Sequence, residues 1–256
     1  MKKKRFHYAT ERYVNKVVSW QEKGLKTYLI SYVDFVKKYV KPGSRILDLG
    51  CGAGLSSSML SKDYNVTGAD FSLPMIKYAR ENFKNVTFRH EDARKLSFKD
   101  GSFDAVMACG FIEHVREVDV VLDEMLRVVK KKGLVIIVSP NWFSPLRAIR
   151  GIVKPKGYET IGRNRLQIFW WFLKAWFYSA KKLISPKYVF RNPDIYNEEI
   201  VGDDIDMEYI ANPYDLKSAF EKRGCRVLRL TAPTFRFSYT AFLAIWFGVV
   251  AKKSGK

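Results

Sequence analysis

Arg45-Ile46-Leu47-Asp48-Leu49-Gly50-Cys51-Gly52-Ala53-Gly54 decides how this chain folds. A short, mostly apolar run ends in three glycines at alternate positions, and a helix is expected at about 55–62. Strand, glycine loop and helix start in that order open a βαβ unit. Glycine lets the backbone turn tightly and lets a ligand approach where a Cβ would exclude it. The N-terminus of the following helix offers unpaired N–H groups and a partial positive charge. Glycine triplets also make tight turns with no ligand, so the surroundings must decide.

Working outward, the alternation continues. Strand Asn65–Asp70 precedes a helix at about 73–83, and strand Val86–Asp92 follows. Gly101 marks a turn before the strand Phe103–Gly110, and a helix at about 117–130 leads to the nearly all-apolar strand Gly133–Val138. A wholly apolar strand is covered on both faces, and strand–helix alternation predicts a parallel, doubly wound α/β sheet. Upstream, Val14, Val17, Val18 and then Leu25, Tyr28, Leu29, Tyr32, Val33 and Val36 recur at helical spacing, giving two amphipathic helices broken near Gly24. Downstream the pattern stops over 142–200, where Gly, Pro, Arg and aromatics dominate and residues 166–184 read as one helix. It resumes with a helix from Asn212-Pro213 to about Arg223, the strand Cys225–Leu230 and the apolar run Ala241–Ala251.

The 256 residues carry 45 Lys and Arg against 26 Asp and Glu, a net charge of +19. Residues 1–41 hold +8 and residues 141–197 hold +9, while 42–140 and 198–256 are each +1. A near-neutral core thus bears two basic additions: an N-terminal segment 1–41 and an insertion 142–200, around a core of 42–141 and 201–256. Such a field favours an anionic partner, although a lysine-rich solvated surface is the plainer reading. Cys51, Cys109 and Cys225 are sparse, odd in number and without a CxxC pair, which argues against a disulfide scaffold and suits a reducing compartment. The basic start has no apolar run behind it, so a soluble cytoplasmic protein is expected. The apolar stretches 166–180 and 241–251 are short of the ~20 residues a membrane span needs.

Asp70 lies twenty residues after Gly50 at the end of the next strand, where a carboxylate accepts the two hydroxyls of a ribose. Asp92 ends the third strand, beside the place an adenine would occupy, so three strand ends converge at the carboxyl edge where open α/β sheets bind ligands. Ile46–Gly54, Gly68–Ser72, His90–Ala93 and Phe103–His114, followed by Leu126–Val138, together resemble the ordered motifs of the class I S-adenosylmethionine-dependent methyltransferases over roughly residues 44–140. The resemblance implies a seven-stranded, mostly parallel sheet whose C-terminal strand is antiparallel, with residues 225–232 and 241–252 as the last two strands. It also implies an N-terminal helical cap and an inserted helical lid.

For the site it implies S-adenosylmethionine as cofactor and S-adenosylhomocysteine as product. Asp48 with Gly50, Cys51, Gly52 and Gly54 would hold the methionine part. Asp70 would take the ribose, Phe71 and Met75 would pack near the adenine, and Asp92 with the Ala93 N–H would meet its amino edge. Cys109, Gly110 and Phe111 would line the methionine arm, and Tyr13 would cap the pocket. Duller roles stay open: Asp48 and Asp92 as helix caps, Phe71 and Met75 as core, Cys51 and Cys109 as packing.

The fourth motif reads Ala108-Cys109-Gly110-Phe111, without the Asn or Asp-Pro-Pro-Tyr of base-amine methyltransferases or the Pro-Cys of cytosine C5 enzymes. That resembles the branch acting on small molecules, quinones and lipids. His114 is the candidate base, since histidine titrates near neutrality; a histidine that merely starts the next helix is the alternative. Glu113-His114 resembles the Glu-His pair of quinone-pathway O-methyltransferases, but His7 and His90 show no ligand spacing with His114, and no metal is expected. The aromatic, basic 142–200 insertion suits a lid over a lipophilic acceptor or a contact with an anionic membrane. Phe169, Trp170, Phe172 and Trp176 packing onto the core is the competing reading. RNA is the alternative partner, because bases stack on aromatics amid basic charge. An NAD-dependent oxidoreductase is a minor alternative on a related fold.

Overall fold

Side chains alternate between two buried faces along the central strand of the computed structural model, which describes residues 10–20, 26–145, 165–190, 208–231 and 246–255. In β1 (Arg45–Leu49), Ile46 joins one apolar layer and Leu47 and Leu49 the other. The layer containing Ile46 also holds Val66, Ala105, Met107, Ile136 and Val138, and is covered by helix α2 (Lys26–Lys37) through Tyr32, Phe35 and Val36. The opposite layer holds Val106, Ala108, Val135 and Ile137, covered by α5 (Val118–Val128) and α7 (Pro213–Lys222). Period-two alternation with both sets apolar is what a sheet clothed on each face requires.

The remaining elements are α1 (Glu11–Trp20), α3 (Leu55–Leu60), β2 (Asn65–Asp70), α4 (Leu73–Asn82), β3 (Thr87–His90), β4 (Phe103–Cys109), β5 (Val129–Pro140), α6 (Arg165–Ile184), β6 (Arg226–Thr231) and β7 (Trp246–Lys252). The seven strands lie in the order β3-β2-β1-β4-β5-β7-β6. The first five pair in parallel. β7 runs antiparallel between β5 and β6, which gives the expected antiparallel C-terminal end. The strand order reverses between β1 and β4, and that switch point opens a crevice at the carboxyl ends of those strands.

Local chemistry sets the element ends. The Ser72 hydroxyl accepts from Met75 N at 3.4 Å, and Pro74 sits in the first turn of α4. Asn212 Oδ1 accepts from Tyr214 N at 3.0 Å, with Pro213 opening α7. Both are N-caps followed by a proline whose missing N–H costs nothing in a first turn.

The α5–β5 boundary differs from its expectation. The helix stops at Val128, Val129 is already extended (ψ 141) and paired with Phe103, and β5 runs on to Pro140. Two successive β-branched valines, the second paired with Phe103 on β4, favour the strand over another helical turn. β3 is shorter than Val86–Asp92, and Asp92 falls in the turn after it, bridged to Lys95. β7 begins at Trp246; residues 241–245, like Gly24, His7 and the parts 146–164 and 191–200 of the insertion, lie outside the described residues.

Candidate functional site

The glycine loop is held by its own backbone. Gly50 N and Cys51 N both donate to Ala69 O, at 2.8 and 3.1 Å, tying the end of β1 to the end of β2. Gly50, Gly52 and Gly54 have φ of +74, +51 and +88°, left-handed values that favour glycine. At Gly50 a Cβ would stand 2.4 Å from Phe111 Cδ2, so the loop after β4 closes against the loop after β1. At Gly52 a Cβ would meet nothing within 4 Å; the loop faces open space there.

Two carboxylates flank that space. Asp48 is buried and accepts from the Ser56 and Ser57 hydroxyls of α3 at 2.7 and 2.6 Å. Its partners are side-chain hydroxyls rather than helix N–H groups. Burial pushes its carboxyl up while the two hydroxyls pull it back. Asp70 Oδ2 accepts from Gly52 N at 2.9 Å and Oδ1 from Ser72 N at 2.8 Å. One N–H on each oxygen leaves lone pairs for the two hydroxyls of a ribose. Burial raises Asp70 as well, against the N–H bonds of Ser72 and Gly52.

The other expected residues fall around this pair. Met75 is buried with Ala53 and Val14 of α1, and Tyr13 packs against the same cluster, so α1 does lie over the glycine loop. Phe71 is 39% exposed beside Asp70, its ring 6.0 Å from that of His90, and its carbonyl O lies 2.8 Å from His90 Nε2. Asp92 is engaged by Arg94, whose Nε and Nη2 reach its two oxygens at 2.9 and 2.7 Å, an ion pair the strand-end reading did not anticipate. Ala93 packs on the α5-side core. Cys51 is buried, and burial pushes its thiol well up, as suits packing and not a nucleophile. Cys109 is half-buried at the end of β4, and Gly110 beyond it has φ +62°. His114 closes the 3₁₀ turn Ile112–His114, while Glu113 is buried, accepting from Ser139 Oγ at 3.0 Å. Among the described residues no group of three His, Cys, Asp or Glu stands where it could hold a metal.

Tyr32 is the residue that sequence reasoning misses. Its hydroxyl is fully buried with no hydrogen-bond partner among the described residues. Burial raises its pKa well above the usual value, with Asp48 and Cys109 adding to the rise, so the hydroxyl lies in the field of both. An orphaned buried hydroxyl is rare and calls for a partner. With the open face at Gly52 and the remaining lone pairs of Asp70, it makes these residues fit an adenosyl sulfonium with its amino-acid arm.

The fold is that of solved S-adenosylmethionine-dependent methyltransferases, and the methyltransferase domain family matches residues 47–137. A 2-methyl-6-phytyl-1,4-hydroquinone methyltransferase of Synechocystis sp. is 40% identical over 129 residues, covering 45% of this chain and 41% of that protein. A phosphatidylethanolamine N-methyltransferase of Cereibacter sphaeroides is 41% identical over 103 residues, covering 38% and 51%. A demethylmenaquinone methyltransferase of Beutenbergia cavernae is 36% identical over 115 residues, covering 43% and 48%. The match thus spans about half the length, or less, of these curated relatives. The solved structure of a SAM-dependent methyltransferase from Aquifex aeolicus superposes with a TM-score of 0.58 at 16% identity, covering 93% of this chain and 97% of that one, which establishes the shared fold.

Proposed function

We propose that this chain transfers a methyl group from S-adenosylmethionine to a small lipophilic acceptor, a quinone, lipid or isoprenoid-like molecule. The cofactor half rests on one juxtaposition: Asp70 bonded to Gly52 N, beside the open face of the glycine loop. The acceptor half is supported by the partly matching relatives, named for a hydroquinone, a phospholipid and demethylmenaquinone. When bound, S-adenosylmethionine supplies an electrophilic methyl group on a sulfonium.

The chain's own residues then have mainly positioning work. Asp70 holds the ribose, Asp92 and the Ala93 N–H meet the adenine edge, and Phe71 and Met75 flank it. Asp48, through the serines of α3, keeps negative charge beneath the loop that holds the amino-acid arm. Cys109, Gly110 and Phe111 form the wall toward the acceptor, and Tyr13 on α1 closes the mouth. An imidazole nitrogen of His114 takes the proton when the acceptor is an alcohol, amine or acidic carbon. A lipophilic acceptor resides in a membrane, so the chain would meet it at that surface.

Labelled S-adenosylmethionine incubated with the protein and a fractionated extract tests this reading. Label in the lipid and quinone fraction is the expected result. Label confined to RNA would favour the RNA reading, to which the aromatic, basic insertion also lends itself. A response to a nicotinamide dinucleotide, with none to S-adenosylmethionine, would overturn the methyl-transfer reading altogether.

A further inference from the structure

Helix α6 is attached to the rest of the fold by one narrow stripe. Ser179 and Lys182 are buried, and Phe172 and Ala175 half-buried, at the spacing of a single helix face. Ser179 Oγ donates to Phe143 O at 2.5 Å, Tyr178 stacks on Phe143 with centroids 5.6 Å apart, and Lys182 Nζ pairs with Asp215 of α7 at 2.7 Å. The opposite face carries Leu166 (68% exposed), Trp170 (62%), Leu173 (38%), Phe177 (62%) and Ile184 (89%), spaced i, i+4, i+7, i+11 and i+18. At 3.6 residues per turn these form one continuous apolar line along a helix about 30 Å long. Phe169 and Trp176, also more than half exposed, widen it on one side. Lys174 and Lys181 edge it on the other, and Lys174 Nζ lies 5.5 Å from the Trp171 ring. Trp170, Trp171, Leu173, Lys174 and Phe177 border a groove of about 500 Å³. Among the described residues nothing covers this face.

We propose that α6 is a docking surface for an anionic lipid bilayer, lying in the plane of the interface. The occupant follows from charge and composition together. Exposed apolar patches of this extent mark a binding face. The segment 141–197 carries eleven basic and two acidic residues, which suits anionic headgroups and opposes a second copy of a chain of net charge +19. Aromatics centred on the face with lysines along its edge match an interfacial helix, whose rings enter the headgroup–acyl boundary while ammonium groups stay at phosphate level. No helix among the described residues is long and apolar enough to cross a membrane, so α6 lies on the bilayer. The proposal deepens the reading of a membrane-held acceptor, but its test measures binding and not turnover.

The test is flotation of the full chain with vesicles of phosphatidylcholine alone and of phosphatidylcholine with about one third phosphatidylglycerol. Flotation with the anionic vesicles is expected, weakening but persisting as salt rises from about 0.05 to about 0.5 M, because only the electrostatic part is screened. W170S/L173S/F177S should lower partitioning at least roughly tenfold, and K174E/K181E several-fold on anionic vesicles only. Both variants should keep the wild-type melting temperature and affinity for S-adenosylmethionine, since the altered side chains are exposed. No flotation of wild type, equal flotation of the apolar triple variant, or retention of an RNA oligonucleotide on α6 in place of vesicles would overturn the proposal. Methyl transfer to lipid without flotation would sink the docking surface alone; flotation without any methyl transfer would sink the proposed activity alone.

Discussion

Asp70 and Tyr32 show what single residues add and how differently they are read. The place of Asp70 is legible because spacing sets it: it ends the strand after the glycine loop, where its carboxylate accepts from Gly52 N. Removing it as Asp70→Ala should weaken S-adenosylmethionine binding by about 1.5–3 kcal/mol, roughly ten- to over a hundredfold, measured by calorimetry; equal affinities would contradict the ribose assignment. Tyr32 is illegible because it stands in the stripe Leu29, Tyr32, Val33, Val36, where a tyrosine reads as one more apolar position. Only burial with an unpartnered hydroxyl singles it out. A buried orphan hydroxyl costs about 1–3 kcal/mol, so Tyr32→Phe should raise the melting temperature of the ligand-free protein. If the cofactor satisfies that hydroxyl, the same change should lower its affinity. Opposite signs in the two measurements are the signature; a fall in both would mean that Tyr32 is ordinary core.

Elements are held to one another by charges the sequence does not pair. Arg127 of α5 donates to Glu124 at 2.7 Å, to the carbonyls of Leu96 and Phe98 at 2.9 and 2.8 Å, and to Asp100 at 2.8 Å, while Glu124 Oε2 also accepts from Leu96 N at 2.7 Å. This knot fixes the loop between β3 and β4 against α5. The Arg127 hydrogen bonds lower the Glu124 carboxyl below its usual value. A depressed folded-state pKa means stability that is present above the unfolded value and lost as pH falls through the folded one. Glu124→Gln should therefore cost about 1.5–3 kcal/mol near neutral pH, with the gap from wild type closing in acid denaturation series. Lys182 and Asp215 form the other tie, both buried, with Tyr209 Oη donating to Asp215 Oδ2 at 3.4 Å. Burial pushes the Asp215 carboxyl up even with the Lys182 ammonium against it. Lys182→Met strands that carboxyl and should cost about 3–5 kcal/mol in denaturant unfolding, with much of it restored in Lys182→Met/Asp215→Asn. Periodicity places the helix at 166–184, within a residue of its observed start. It cannot tell which lysine turns inward, because that depends on a partner on another helix.

At the scale of the molecule, the parallel half of the sheet is written in local alternation, whereas the place of β7 is not. β7 enters between β5 and β6, a pairing across more than a hundred residues that only the shared apolar faces enforce. The N-terminal helix is the opposite case, since its amphipathic spacing is plain but its purpose depends on what it covers. Val14, Ala53 and Met75 form a small buried cluster separate from the two cores flanking the sheet. The sheet therefore has its own cohesion, and α1 adds a lid over the glycine loop. A carboxylate at Val14 cannot be buried unpaired, so Val14→Asp should free α1 while leaving the sheet intact. The ligand-free melting temperature should change by only a few degrees, as expected for ~1 kcal/mol or less. Cofactor binding should suffer more, because Tyr13 and the lid leave together. In wild type, ligand at about 100 times its dissociation constant stabilises by about 2.7 kcal/mol; a tenfold weaker site at the same concentration gives only about half of that. Thermal shifts with and without S-adenosylmethionine on the two proteins separate the cases. If Val14→Asp lowers the ligand-free melting temperature as far as a core substitution and leaves the ligand-induced increment unchanged, α1 is part of the scaffold and not the cover of the site.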